Sequence, residues 1–139
     1  MKNLVDKLNN LTNSYTGKKL DVEQLILAQR KLKLNNMPEI PSDYIKVLHQ
    51  YNSLMCDGCC VFGVKPCDDN RLDLIAENTF IQNPNRENCL ILGWSELEYL
   101  QWHKQLKCYQ IIDKYDFEVL KIYQTCELAL MDFLRLGDD

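Results

Sequence analysis

Cysteine is the residue type in this chain that most invites a chemical interpretation. Cys56 and Cys59 form a C-x-x-C pair, with Cys60 beside it and Cys67 further along. A structural zinc site takes four ligands, which usually come as two spaced pairs. The remaining cysteines stand singly inside strand or helix patterns, and no second C-x-x-C or H-x-x-x-H motif occurs. We therefore predict no metal site and no cofactor, and we interpret the cysteines as small, reduced packing residues.

Histidine and paired acids are the other residues that could carry out catalysis. The two histidines, His49 and His103, lie on a predicted helix face and at the end of a predicted strand. Glu96 and Glu98 flank a leucine, a spacing typical of a solvated strand edge, and the aspartates of a predicted turn usually bind the backbone. General acid–base catalysis needs a carboxyl with a raised pKa in an apolar pocket, and no pattern here indicates one. We predict no catalytic residue and no enzyme.

Aromatic residues are the third group, and they favour binding over catalysis. On the predicted strand 98–103, Tyr99, Gln101 and His103 face one way and Trp102 the other. If one face of the sheet is open, these side chains form a rigid aromatic and polar surface that suits a protein partner. The alternative is that they are cross-strand pairs that only stabilise the sheet. The predicted partner-binding residues are Trp94, Glu96, Tyr99, Gln101, Trp102, His103 and Tyr109.

The stretch from Ile40 to Val64 begins the framework that must position these residues. Pro41 disfavours helix in the residue before it, and Ser42 is the predicted N-cap of a helix whose apolar residues recur at helical spacing. Asp57-Gly58 marks a turn, and the apolar run that follows predicts a strand over 59–64.

The other elements follow from periodicity and turn residues. We predict helices over 2–11, 21–34, 72–80 and 125–136, and strands over 89–94, 98–103, 107–113 and 118–123. In the last helix, Leu128, Met131, Phe133 and Leu134 are predicted to face inward. Strands joined by short turns are antiparallel, because parallel crossovers need about a dozen residues. The predicted fold class is α+β, a mostly antiparallel, meander-like sheet of four to six strands with helices packed on one side.

Size and charge limit the function classes. A chain of 139 residues with 46% hydrophobic residues fits one ordinary globular domain. A net charge of −4 argues against nucleic-acid binding, which needs clustered basic charge, and favours a basic partner. The first residues lack a continuous apolar core, and no run approaches about 18 apolar residues. We therefore expect a cytoplasmic protein without membrane contact.

Several segments together resemble one known family. I-P-S-D-Y-I-K-V-L-H-Q-Y-N-S, at residues 40–53, resembles the L-P-x-D-Y-x-x-F-L-x-x-x-N-G motif of the SUKH superfamily. Residues 73–80, 89–100 and 107–134 are similar to its YrhA-like members, with their I-L-G-x-S segment, Y-x-I-x-D-R-x-x-x-E-V strand pair and terminal helix. The similarity covers about 20–136 of a single domain over 1–139, with a helix inside 1–19. Ser53, where the motif has glycine, and Lys114, where it has arginine, depart from the pattern.

The resemblance implies a SUKH-like α+β domain without catalysis. Bacterial members are mostly immunity proteins, which bind and block a cognate secreted toxin that is often a nuclease or deaminase. Eukaryotic members include regulators of yeast cell-wall synthesis. We expect a non-catalytic protein-binding domain of the immunity type, and the alternative is an intracellular regulatory or scaffold interaction domain.

Overall fold

The computed structural model describes residues 2–10 and 15–136. The helices are α1 (Lys2–Asn9), α2 (Val22–Leu34), α3 (Ser42–Gln50), α4 (Leu74–Phe80) and α5 (Cys126–Phe133), with a 3-10 turn at Asn70–Leu72 before α4. The strands are β1 (Tyr15–Thr16), β2 (Leu54–Cys56), β3 (Cys59–Val61), β4 (Cys89–Trp94), β5 (Glu98–His103), β6 (Cys108–Asp113) and β7 (Val119–Tyr123).

The sheet is an antiparallel meander in which each strand pairs with the next one along the chain. Strands β2 to β7 make up its body, and the two-residue β1 extends it beside β2. The turn between β2 and β3 consists of Asp57 and Gly58, with φ of 49° and 80°, which is the two-residue hairpin geometry that favours Asp-Gly. The predicted α+β class, with helices on one side of an open antiparallel sheet, is confirmed.

A tyrosine from α3 and the apolar face of α5 form the centre of the core. Tyr44 is fully buried, and its hydroxyl donates to the backbone oxygen of Phe62 and, at 3.3 Å, to that of Leu92. The side chain of Thr125 caps α5 by accepting a hydrogen bond from the Leu128 amide at 3.2 Å. The buried residues of α5 are Cys126, Ala129, Leu130 and Phe133.

Two expectations about these helices are wrong. Leu128 is 56% exposed rather than inward-facing, because the buried stripe of α5 starts at Cys126 and repeats at helical spacing from there. Pro41, not Ser42, is the N-cap of α3. No side chain caps this helix end, and Ser42 is its first helical residue.

Three side-chain amides bind the backbone as a neighbouring strand would. Asn78 accepts from the Ile91 amide and donates to the Ile91 carbonyl, both at 2.8 Å. Asn52 makes the same pair with Val64 at 2.8 and 3.0 Å, and Gln29 makes it with Ile40 at 2.7 and 3.1 Å. Each amide satisfies both polar backbone groups of one residue. The Asn78 bonds attach α4 to β4 at Ile91, a position that the short strand β3 does not reach.

None of the helices that the structure describes is both long and apolar enough to span a bilayer.

Candidate protein-binding surface

Two turns meet at one end of the sheet, because alternate turns of a meander lie at the same end. These are the β4–β5 turn (95–97) and the β6–β7 turn (114–118). Lys114 joins them: its backbone amide donates to the Leu97 carbonyl at 2.9 Å, and its ammonium donates to the Ser95 carbonyl at 3.2 Å. The two turns therefore form one continuous surface.

Asp113 sets the shape of the β6–β7 turn. Its carboxylate accepts hydrogen bonds from the backbone amides of Tyr115 at 2.8 Å and Asp116 at 3.0 Å. Hydrogen bonding from Asp116, then from Tyr115, lowers the pKa of Asp113, because these bonds favour the ionised carboxyl. The turn aspartate thus serves the backbone, as the sequence predicts.

Phe117 closes this turn in an unfavourable backbone conformation. Its φ is 62°, in the left-handed region that an aromatic residue seldom adopts. The ring packs against Tyr99, with a distance of 6.0 Å between ring centroids. The turn accepts backbone strain and places another aromatic ring on the surface.

Lys114, the base of this turn, points inward. Its ammonium lies 5.6 Å from the ring centroid of Trp94 and 5.6 Å from that of Tyr99. Such cation–π contacts, together with the bond to Ser95, hold the ammonium in place.

A groove of about 280 Å³ lies beside these rings and against α4. Its lining residues are Arg71, Glu77, Phe80, Ile81, Trp94, Tyr99 and Lys114. The indole nitrogen of Trp94 donates to the Arg71 carbonyl at 3.2 Å, which fixes one wall. Burial raises the pKa of Glu77, against the opposing effect of Lys114.

Large apolar side chains around the groove are unusually exposed. Phe80 is 80%, Tyr115 76% and Leu97 60% exposed. With the half-buried rings they form what we call the turn-end surface, which consists of Phe80, Trp94, Leu97, Tyr99, Tyr115 and Phe117. Its acidic rim consists of Glu96, Asp116 and Glu118, which are exposed.

Three of the predicted binding residues come together in this region. Trp94 and Tyr99 are half-buried members of the turn-end surface, and Glu96 is exposed on its rim. Trp102 is half-buried on the opposite face from Tyr99, and its ring packs against that of Tyr109, tilted by 47° with centroids 4.9 Å apart.

The other three predicted residues are buried. Gln101 is 5%, His103 9% and Tyr109 2% exposed. Gln101 donates to Gln110 across the strands at 2.7 Å, and His103 accepts from the Leu106 amide at 3.2 Å. The bond of Gln101 to Gln110 fits the alternative interpretation of cross-strand pairing, and the candidate surface is limited to the turn end.

The predicted partner-binding residues do not include Phe80, Leu97, Tyr115 or Phe117. A usable signal was present in K-Y-D-F at residues 114–117, where two aromatic residues lie in a turn between strands. Turn residues rarely reach a core, so aromatic residues there indicate a surface role.

The cysteines lie mostly in the core. All but the half-buried Cys67 are buried, and all seven are free thiols. Burial raises the pKa of Cys60 to about 12, which keeps this thiol protonated and unreactive at neutral pH. Across residues 2–10 and 15–136, no three or more His, Cys, Asp or Glu side chains are arranged to hold a metal ion.

Comparison with known proteins gives no relative: no family model, no curated protein and no solved structure matches this chain.

Proposed function

We propose that this chain is a non-catalytic protein-binding domain of the immunity type, which neutralises a cognate toxin through the turn-end surface. The observation that carries the proposal is that Phe80, at the groove, and Leu97 and Tyr115, in the two joined turns, are each at least 60% exposed. Exposed apolar clusters with a polar rim are typical of protein interfaces, and aromatic residues often supply most of the binding energy.

The charge of the rim indicates the kind of partner. Three exposed carboxylates, those of Glu96, Asp116 and Glu118, lie in the two turns of the turn-end surface, while the ammonium of Lys114 lies over Trp94 and Tyr99. An acidic rim attracts a basic protein surface and speeds its association. A nuclease presents such a surface, because its cleft must bind phosphates. This supports a toxin that acts on nucleic acid.

The test is co-expression of this chain with a toxin-like gene found beside its own. We expect the cells to survive and the two proteins to purify together in a stoichiometric complex. Absence of both rescue and complex would overturn the immunity proposal. Capture of a non-toxin partner from a native lysate would support the regulatory or scaffold alternative instead.

A matched pair of leucine variants tests the site. Leu97 and Leu106 are both 60% exposed, and they lie in turns at opposite ends of the sheet. Leu97→Ala should weaken the complex by about tenfold, as expected for an interface contact, while Leu106→Ala should leave it unchanged. Neither variant should lower the melting temperature appreciably. Equal effects on binding would remove the turn-end surface from the proposal.

A further inference from the structure

Helix α2 is apolar on the side that faces solvent as well as on the side that faces the core. Its inner side is buried through Ala28 and Leu32. A helix at the surface of a globular domain usually presents polar residues on its outer side. The outer side of α2 instead carries four large apolar residues, each between 46% and 83% exposed: Val22, Ile26, Leu27 and Leu34. Such a surface is typical of a contact with another protein.

Two opposite charges lie along the middle of this outer side. Glu23 and Arg30 are both exposed, and Ile26 and Leu27 lie between them. A spacing of seven residues is close to two helical turns, so the two charged side chains share one stripe about 10 Å apart. That distance is too long for them to pair with each other. Neither side chain forms an ion pair or a side-chain hydrogen bond with any residue that the structure describes.

The order of these residues is complementary to itself in one arrangement. When a second α2 lies antiparallel to the first, with a two-fold axis between Ile26 and Leu27, Glu23 of each helix faces Arg30 of the other. The apolar residues then meet at the axis, and the opposed helix dipoles attract each other. A parallel arrangement would place like charges side by side.

The remaining charges of α2 distinguish a second copy from an acidic partner. Asp21 and Glu23 make the N-terminal end of the helix acidic, and Arg30, Lys31 and Lys33 make its C-terminal end basic. A uniformly acidic partner would match only the basic end and would be repelled by the other. An antiparallel copy of α2 matches both ends.

We propose that α2 is a dimerisation helix, which pairs antiparallel with α2 of a second copy of this chain. The proposal does not depend on the proposed function, because α2 contributes no residue to the turn-end surface. A dimer of this kind would carry two turn-end surfaces.

The length of α2 sets the expected affinity. A helix of 13 residues is about 20 Å long, so one helix pair buries less than the roughly 1,600 Å² of a standard stable interface. We therefore expect a weak dimer, with a Kd of about 10–100 µM.

Sedimentation equilibrium of the full chain tests the dimer directly. The loading concentrations should span the expected Kd, from about 5 to 500 µM. The average mass should rise with concentration from that of the monomer, 16.4 kDa, towards twice that value. A chain that remains monomeric over the whole range would overturn the proposal.

Charge reversal tests the antiparallel arrangement. Glu23→Arg and Arg30→Glu should each raise the Kd at least about tenfold, because like charges then face each other in both pairs. An equal mixture of the two variants should form a heterodimer, since both facing pairs are then of opposite charge. The double variant, which carries both reversals in one chain, should dimerise alone for the same reason.

A matched control separates this effect from net charge and from helix stability. Arg86→Glu makes the same change in an exposed loop residue outside α2, and it should leave the Kd unchanged. Each reversal in α2 also opposes the helix dipole, and the double variant combines the two penalties. A weakened helix would therefore dimerise least in the double variant, whereas the proposal predicts recovery there. Failure of the mixture to form a heterodimer, or an equal effect of Arg86→Glu, would exclude the antiparallel α2 pair.

Discussion

Asn78 shows how much a single side chain contributes to this fold. Its amide nitrogen donates to the carbonyls of Leu74 and Ile91, and its oxygen accepts from the Ile91 amide, all at 2.8 Å. The residue is 5% exposed, so water cannot replace a lost partner. The side chain attaches α4, which carries Glu77 and Phe80, to the sheet.

We predict that Asn78→Asp lowers the free energy of unfolding by roughly 3 kcal/mol, because a carboxyl oxygen would face two carbonyl oxygens in a buried site. Asn36→Asp is the control, since Asn36 is exposed and lies in a loop. Urea unfolding followed by circular dichroism measures both. Similar losses in the two variants would show that the Asn78 bonds contribute little.

The ionised Glu77 side chain should lower the stability of the free protein. Burial raises its pKa, so the folded state binds this proton more tightly than the unfolded state does. The ionised form therefore destabilises the fold above the raised pKa, and the penalty disappears as the pH falls below the ordinary glutamate pKa of about 4.3.

We predict that Glu77→Gln raises the melting temperature at pH 7 and that the gain disappears below about pH 4. Glu96→Gln, on the exposed rim, should show no comparable pH-dependent gain. The measurement is a series of thermal melts across this pH range. A gain that is constant with pH would mean that ionisation of Glu77 is not its cause.

At the scale of elements, the β6–β7 turn loses stability through backbone strain at Phe117, whose ring is half-buried. Phe117 lies at φ 62°, where glycine is unstrained. Replacing it with either glycine or alanine removes the ring, but only glycine relieves the backbone. We predict that Phe117→Gly is more stable than Phe117→Ala by about 1 kcal/mol.

The stability order of the glycine and alanine variants should reverse at Tyr115, two residues earlier. Tyr115 has no positive φ, so Tyr115→Ala should be more stable than Tyr115→Gly. Chemical denaturation of the four variants is the test. If alanine were the better residue at both positions, the turn would hold no strain at Phe117.

The elements that periodicity predicts well are the long ones. Strands β4 to β7 are apolar or alternating runs bounded by turn residues, and their predicted bounds agree with the structure to within about a residue. Strand β2 was missed because three residues cannot show a period. It also follows Ser53, whose φ of 84° is a conformation suited to glycine. The motif that residues 40–53 resemble has glycine at this position.

The site was harder to predict than the fold. Alternation along β5 indicates which side chains share a face, but not whether that face is covered. Gln101, with its bond to Gln110, and Tyr109 look like surface residues in sequence and are buried. The turn-end surface depends on distant segments that come together, such as Phe80 of α4 and Lys114 of the β6–β7 turn, which line one groove. No local pattern in the sequence contains this.

At the scale of the molecule, the protection of backbone amides from hydrogen exchange should fall from the centre of the sheet to its edge. Strand β5 pairs along its whole length with β6 and along most of it with β4, while β7 pairs with β6 alone. All but the last residue of β7 are exposed. Such an edge opens locally more easily than a central strand.

We predict that the unpaired amides of β7 exchange with solvent at least about 100-fold faster than those of β5. Native-state hydrogen exchange, resolved by residue with NMR, measures this. Similar protection in β7 and β5 would mean that another chain covers the edge in solution.

The exposure of Phe80, Leu97 and Tyr115 also bears on protein engineering. Their side chains add little to the core, so the sheet does not depend on their identity. A library that varies these positions should consist mainly of folded molecules, each with a different binding face on the same framework. Selection from such a library could give this small disulfide-free domain new targets, with the two turns used in the way that antibodies use their hypervariable loops.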